Sequence, residues 1–153
     1  MKFEGRFEIV DENGKIVRIA HNHLVENGSR YILSWLRGGL IADGYGSATI
    51  KPSYIIVGRD QTPWERTQWI ILWRQGDVAI SGSTLVSKTQ VRFSATWSTL
   101  GTNIGEIGLA LTNGFASSRT DYPNSLIDRA VITPSYSPSA PITINFNLEL
   151  KLE

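Results

Sequence analysis

The chain contains no cysteine and only two histidines among its 153 residues. Without cysteine, disulfides and thiolate metal sites are excluded, so the fold must be held together by packing alone. Charged residues are also scarce, at 19% of the chain against about 25% in an average soluble domain. This composition argues against disorder and suggests that part of the surface is covered by something other than water.

Long apolar runs and runs of one charge are missing as well. The longest apolar run, residues 69–73, is far shorter than the ~20 residues of a membrane helix. The first residues carry charges where a signal peptide needs an apolar core, so we expect the chain to fold in a cytoplasm and to bind no membrane. The fifteen basic and fourteen acidic residues form no basic block, so nucleic-acid binding has no electrostatic support.

The ionisable residues form no recognisable catalytic set. His21 and His23 could share one face of a strand, but Glu26 is the one further ligand nearby, and such histidines are more often structural. There is no Gly-x-Ser-x-Gly turn for a nucleophilic serine and no glycine-rich loop followed by Lys-Ser for phosphate. We therefore predict a protein that is not an enzyme and that uses no metal and no cofactor.

Alternation of apolar and polar residues is clearest near the end of the chain. In residues 142–152 six apolar side chains alternate without a break with five polar ones. Because successive side chains of a strand point to opposite faces, this segment predicts a long strand with one apolar and one wet face. Such strands are typical of antiparallel sheets.

The first twenty residues predict a β-hairpin. Residues 2–10 alternate, Asn13-Gly14 supplies the positive φ of a tight turn, and residues 15–20 return. We expect this opening hairpin, residues 2–20, to be able to act as an arm. Its first strand would then add to the sheet edge of a neighbouring subunit.

The rest of the pattern predicts a single all-β domain over residues 1–153, an antiparallel sandwich or partly closed barrel of about eight strands. One short helix is expected near residues 27–37, with Asn27 as its N-cap. Three prolines between residues 134 and 141 predict a linker that is unable to pair. The further predicted strands are residues 53–58, 68–74, 77–81, 84–98, 106–112 and 126–133.

Tryptophan is the side chain most informative about binding. Trp64, Trp69 and Trp73 lie within ten residues, next to two arginines, and both residue types are enriched at protein–protein hot spots. Core filling explains Trp69 and Trp73 equally well. Trp64 lies in a polar loop and is the better contact candidate. The residues predicted to meet a partner are Phe3, Phe7, Trp64, Arg66 and Tyr122.

A series of short motifs follows in order along most of the chain. They are Asp11-Glu12-Asn13-Gly14, residues 22–28 (N-H-L-V-E-N-G), 54–58 (Y-I-I-V-G), 91–97 (V-R-F-S-A-T-W), 106–109 (E-I-G-L) and the alternating strand 142–150. In this order they resemble a recurrent type of small structural protein of tailed bacteriophages. Proteins of that type are virion components, variously head-decoration, cement, collar or tail-tip proteins, and are commonly symmetric oligomers.

The resemblance implies a structural role on the virion and does not say where on the particle. The lack of catalytic sets, the sparse charge and the lack of fibre-shaft repeats favour a capsid decoration or cement protein that is assembled in the host cytoplasm. Its expected partners are the major capsid protein or other virion proteins, and it is expected to be a trimer. A tail, baseplate or collar component is the alternative in the same setting. An alternative of another class is a carbohydrate-binding module for host recognition, in which Trp64 and Tyr122 would form a sugar platform.

Overall fold

A computed structural model of the chain describes residues 2–21, 23–24, 28, 32, 52–63, 71, 74–110 and 126–151. These residues contain ten strands: β1 (Lys2–Val10), β2 (Ile16–His21), β3 (His23–Leu24), β4 (Tyr54–Gly58), β5 (Arg74–Ala79), β6 (Gly82–Ser87), β7 (Gln90–Trp97), β8 (Ile104–Ala110), β9 (Leu126–Tyr136) and β10 (Ile142–Lys151).

The strands form two antiparallel sheets that pack face to face. Sheet A has the order β2-β1-β10-β7-β6, and sheet B has the order β3-β9-β8-β4-β5. Within the described residues neither sheet closes on itself, so each has two edge strands. The all-β prediction is confirmed, and the sandwich is the correct one of its two alternatives.

The core lies between the two sheets, as alternation predicts. Phe7 of β1 and Phe146 of β10 are opposite each other in the ladder, with ring centroids 4.8 Å apart, and both are fully buried. Trp97 of β7 lies over Gly76 of β5, where an added Cβ would come within 2.6 Å of the indole ring. The missing side chain at Gly76 therefore lets the two sheets approach each other at this point.

The opening hairpin forms where it was predicted. Asp11 Oδ1 accepts hydrogen bonds from the N–H groups of Asn13 and Lys15, both at 2.9 Å, and Gly14 has the positive φ of 79° that the turn requires. The expectation of an arm is corrected, because β1 lies between β2 and β10 and has both edges paired. The edge of β1 that was expected to pair with a neighbouring subunit pairs with β10 of the same chain.

Two predicted boundaries in the second half of the chain are wrong. Residues 84–98 are not one strand, because a turn at Lys88-Thr89 separates β6 from β7, and the Thr89 N–H donates to Ser87 Oγ at 3.2 Å. β9 continues through Pro134 to Tyr136 instead of ending before it. A shift in its register against β8 lets the strand pass the proline without a ladder bond there.

Two further predictions fall mostly outside the described residues. Of the predicted helix near residues 27–37, only Gly28 and Ile32 are described, and both are helical. Of the predicted strand 68–74, Ile71 is buried and is not in a strand, and Arg74 begins β5. The predicted strand 53–58 is confirmed as β4, whose last four residues are buried.

Candidate interaction surface

Four strands form the edges of the sheets within the described part of the chain: β2 and β6 in sheet A, and β3 and β5 in sheet B. Soluble proteins usually protect such edges, because their unpaired N–H and C=O groups can pair with another chain. β3 has only two residues, β5 carries the Arg74–Asp77 ion pair, and β2 carries Arg18. β6 is six residues long and contains neither a charged residue nor a proline.

β6 is also the most exposed of the strands whose burial the structure describes. All six of its residues are exposed, with Leu85 at 73% and Val86 at 45%. Its register against β7 is regular from Gly82 to Leu85 and shifts only between Leu85 and Ser87. The strand therefore presents a regular, uncharged edge to the surroundings, and large apolar side chains accompany it.

The apolar inner face of sheet A continues onto this edge beyond the buried core. The pairing of β1, β10, β7 and β6 puts a row of apolar side chains on the same face as the core phenylalanines. None of them is fully buried, and Phe3 is 39% exposed. We call this row the overhang; it consists of Phe3, Leu85, Val91, Leu148 and Leu150.

The outer face of sheet A carries a row of paired polar side chains. Glu8 of β1 is only 3% exposed; its carboxylate lies 2.7 Å from Nη2 of Arg6 and 3.9 Å from Nη2 of Arg92. Arg92 Nε also donates to Asn147 Oδ1 at 2.7 Å. Arg6 and Arg92 share this face with Glu8 and Asn147. The aliphatic stems of the two arginines can therefore cover Glu8 and Asn147. The face that alternation predicts to be solvent-exposed is therefore partly buried.

One end of this outer face is an exposed ion triplet. The Glu4 carboxylate lies 2.9 Å from Lys2 Nζ and 2.6 Å from Lys151 Nζ. Hydrogen bonds from Lys151 and then Lys2 lower the pKa of Glu4 from 4.5 to about 2, and the bond to Glu4 raises the pKa of Lys151. Since water screens all three groups, the triplet marks a solvated face and not a reactive centre.

Sheet B holds a fully buried ion pair on the face turned away from sheet A. Arg129 Nε of β9 donates to Glu106 Oε2 of β8 at 2.7 Å, and both side chains have no exposed surface. The same guanidinium donates to the backbone oxygen of Thr62 at 3.1 Å and lies 3.7 Å from Asp60. Gly58 is opposite Glu106 in the ladder, where any side chain would collide with the carboxylate. The pair thus fastens the loop after β4 to two strands.

Asp128 precedes this arginine in β9 and is also fully buried. Burial raises the pKa of its carboxyl well above the usual value, and a hydrogen bond with the backbone of Arg129 acts in the opposite direction. Raised carboxyl pKa values also occur in catalytic acids. The residues opposite Asp128 in the ladders are Leu109 and Leu24, which offer no acid–base chemistry.

The structure separates the residues that were predicted to meet a partner. Phe3 is partly exposed and belongs to the overhang. Phe7 is fully buried in the core, so its predicted role as a contact residue is corrected: it holds the two sheets together. Trp64, Arg66 and Tyr122 lie outside the described residues, and the predicted sugar platform lies there with Trp64 and Tyr122.

No group of three or more histidine, aspartate or glutamate side chains among the described residues could hold a metal ion. Of the histidine segment, His21 is exposed at the end of β2. Glu26 and the side chain of His23 lie outside the residues that the structure describes.

Sequence reasoning missed the β6 edge and the buried ion pair. The edge was hidden because residues 84–98 alternate well enough to suggest one strand, although Lys88 and Thr89 interrupt the apolar positions and mark the turn. The ion pair did leave a signal. Asp128 and Arg129 lie inside the otherwise apolar run from residue 126 to residue 132, where a charged residue needs a buried partner.

No helix within the described ranges is long and apolar enough to cross a membrane. No known protein family, no curated protein and no solved structure matches the chain.

Proposed function

We propose that the chain is a bacteriophage virion structural protein that acts as a capsid decoration, or cement, protein. The observation that carries this proposal is the combination of β6 and the overhang, an uncharged free edge joined to a partly exposed apolar face. Such a surface favours a neighbouring protein over water. The order of the sequence motifs supplies the setting, because it resembles that of small tailed-phage structural proteins.

The remaining surface is consistent with a structural role. The buried Arg129–Glu106 pair holds a loop against sheet B, and the arginines beside Glu8 order the outer face of sheet A. Each of these charged groups is paired within the fold, so its chemistry is used for rigidity. A rigid two-sheet body is suited to carry load between subunits.

Decoration would work by adding interfaces that internal pressure must break before the shell can open. A stable attachment needs about 1,600 Å² of total buried surface per contact. Backbone pairing at a strand edge supplies affinity with little demand on the partner's sequence, and apolar side chains beside the edge add to it. The major capsid protein is the expected partner for the apolar side chains beside the edge, whereas the edge itself is open to a strand of any subunit, including a second copy of this chain.

Quantitative mass spectrometry of purified particles from the virus that encodes the chain tests the proposal. We expect hundreds of copies per particle, and we expect particles that lack the protein to lose their contents at a lower temperature. A copy number of a few to a few dozen would replace decoration with a tail or baseplate role. Absence from the particle, together with binding to glycans on an array, would contradict a virion role and favour the sugar-binding alternative.

A further inference from the structure

We propose that two copies of this chain associate through β6, which pairs antiparallel with β6 of the second copy and joins the two A sheets into one continuous sheet. This inference rests on the proposed function only in taking subunit association as the purpose of the chain. It names the strand, the occupant of the free edge and the symmetry of the contact.

The contrast between the four edges selects β6. β3 is too short to pair well, β5 has the Arg74–Asp77 ion pair, and β2 carries Arg18, whose Nε donates to the backbone oxygen of Pro134 at 3.0 Å. β6 has no charged side chain, and every one of its residues is exposed. An edge that carries neither a charge nor a proline to protect it is expected to be covered in the assembled protein.

The composition of β6 favours its own copy as the occupant. Antiparallel pairing of a strand with itself creates a twofold contact in which each residue faces a residue of the same short sequence. Because β6 contains only glycine, serine, threonine, leucine and valine, no like charges meet across that contact. An equivalent contact between two β2 edges would bring Arg18 of one copy close to Arg18 of the other.

The alternation of β6 limits the register of the contact. Residues opposite each other in an antiparallel pair point to the same face. Ser83 and Leu85 share the inner face, because they pair with Phe93 and Val91 of β7. An inner residue must meet an inner residue, so the twofold axis passes beside a residue and not between two residues. Pairing over most of the six-residue strand puts the axis beside Thr84 or Leu85. The overhangs of the two copies then lie next to each other on one side of the joined sheet.

The expected dimer is a weak one. A six-residue strand is about 20 Å long. A strand pair of that length buries much less than the ~800 Å² per partner of a standard interface, even with Leu85 and Val86 included. The dimer should therefore depend on protein concentration in solution. An assembled shell holds many copies close together. The resulting high effective concentration would strengthen the same contact.

Single cysteines test the register directly, because the chain has none of its own. In the proposed contact the Cα atoms at the axis lie about 4.5–5.5 Å apart, a distance that a disulfide can span. We expect Thr84→Cys or Leu85→Cys to give a disulfide-linked dimer of the full chain under mild oxidation. Leu100→Cys is the control, since Leu100 is 52% exposed but lies outside β6. Cross-linking at neither edge position above the level of the control would overturn the proposal.

A second measurement does not depend on a disulfide. Leu85→Lys places a charge on the edge, and because Leu85 is 73% exposed the fold should tolerate it, which circular dichroism can verify. In sedimentation at increasing concentration we expect the unmodified chain to shift from monomer to dimer. We expect Leu85→Lys to stay monomeric and Leu100→Lys to behave like the unmodified chain. Equal association of all three, or a trimer that persists in Leu85→Lys, would contradict a β6 contact.

The outcome can be separated from that of the proposed function. If Leu85→Lys is monomeric but still present at hundreds of copies on particles, the β6 contact exists and is not what attaches the protein to the shell. If the chain is on the particles and never cross-links at β6, decoration stands and this inference fails. The dimer is an alternative to the trimer predicted from the sequence, because a strand paired with its own copy is a twofold contact.

Discussion

Asp128 is a carboxylic acid buried in the interior of the protein, an unusual position for an aspartate. It has no exposed surface, and burial raises the pKa of its carboxyl well above 3.8. An acid with a raised pKa binds its proton more strongly in the folded chain than in the unfolded chain. Its contribution to stability is therefore fully present below pH 3.8 and is lost as the pH rises through the folded pKa.

Replacement of the Asp128 carboxyl by an amide should remove the loss of stability that accompanies a rise in pH. We expect Asp128→Asn to be more stable than the unmodified chain at pH 7 and the two to differ by a constant amount below pH 3.8. Each pKa unit of upward shift contributes about 1.4 kcal/mol to the difference at neutral pH. Urea denaturation from pH 3 to pH 8 measures it, and subtracting the two curves removes the effect of all other groups. A difference that does not change with pH would show that Asp128 is not the group responsible.

Phe3 and Phe7 show what residue alternation can and cannot reveal. Both occupy apolar positions of the same strand, and both were predicted to meet a partner. Phe7 is opposite Phe146 in the middle of the core, whereas Phe3 is opposite Leu150 near its rim. Alternation thus gives the face of the sheet on which a side chain lies. How deep the side chain is buried depends on the other sheet, which is distant in sequence.

At the scale of the element, strands β8 and β9 depend on a pair of opposite charges. Arg129 and Glu106 have no exposed surface, and the arginine also reaches Asp60 and the backbone of Thr62. Removal of one partner of a buried pair leaves an uncompensated charge, which costs more than removal of both. Removal of either charge should therefore destabilise the two strands and the loop after β4 together.

A double-mutant cycle tests this unit. We expect Arg129→Met to lower the free energy of unfolding by about 3–5 kcal/mol, because Glu106 then loses the partner of its buried ion pair. Adding Glu106→Gln should recover part of that loss, although the change alone is also destabilising. Denaturant unfolding of the four proteins at pH 7 gives the coupling energy. Losses that simply add would mean that the two side chains act independently.

Sequence reasoning succeeded for elements whose pattern is local. The opening hairpin has its turn residues between two alternating segments, and β10 alternates over its whole length, so both were predicted close to their final bounds. β6 and β7 were merged because a turn at Lys88-Thr89 has neither glycine nor proline. The end of β9 was predicted too early because Pro134 lies in a bulge of β9, where residues 132–135 face the single residue Gly105 of β8. The free β6 edge follows only from strand order, which no local pattern contains.

At the scale of the whole molecule, the two ends of the chain meet in the middle of sheet A. β1 pairs with β10 along nine residue pairs, from Lys2 with Lys151 to Val10 with Thr143. The contact includes Phe7 with Phe146 and Ile9 with Ile144, all of them fully or almost fully buried. A chain without disulfides depends on such long-range pairing to close its core. The first strand is therefore a structural necessity, whereas an arm would be dispensable.

Deletion of residues 1–10 distinguishes these two roles. We expect the shortened chain to lose its cooperative unfolding transition, since the deletion removes Phe7 and Ile9 from the core and leaves β10 with one free edge. Phe3→Ser is the control: it changes the same strand at a partly exposed position and should keep the transition. Thermal unfolding followed by circular dichroism, with amide dispersion in NMR spectra, measures both. A shortened chain that still unfolds cooperatively near the temperature of the full chain would make β1 an arm after all. The β6 contact would then have a rival, because an arm free to leave sheet A could pair with a neighbour by strand exchange.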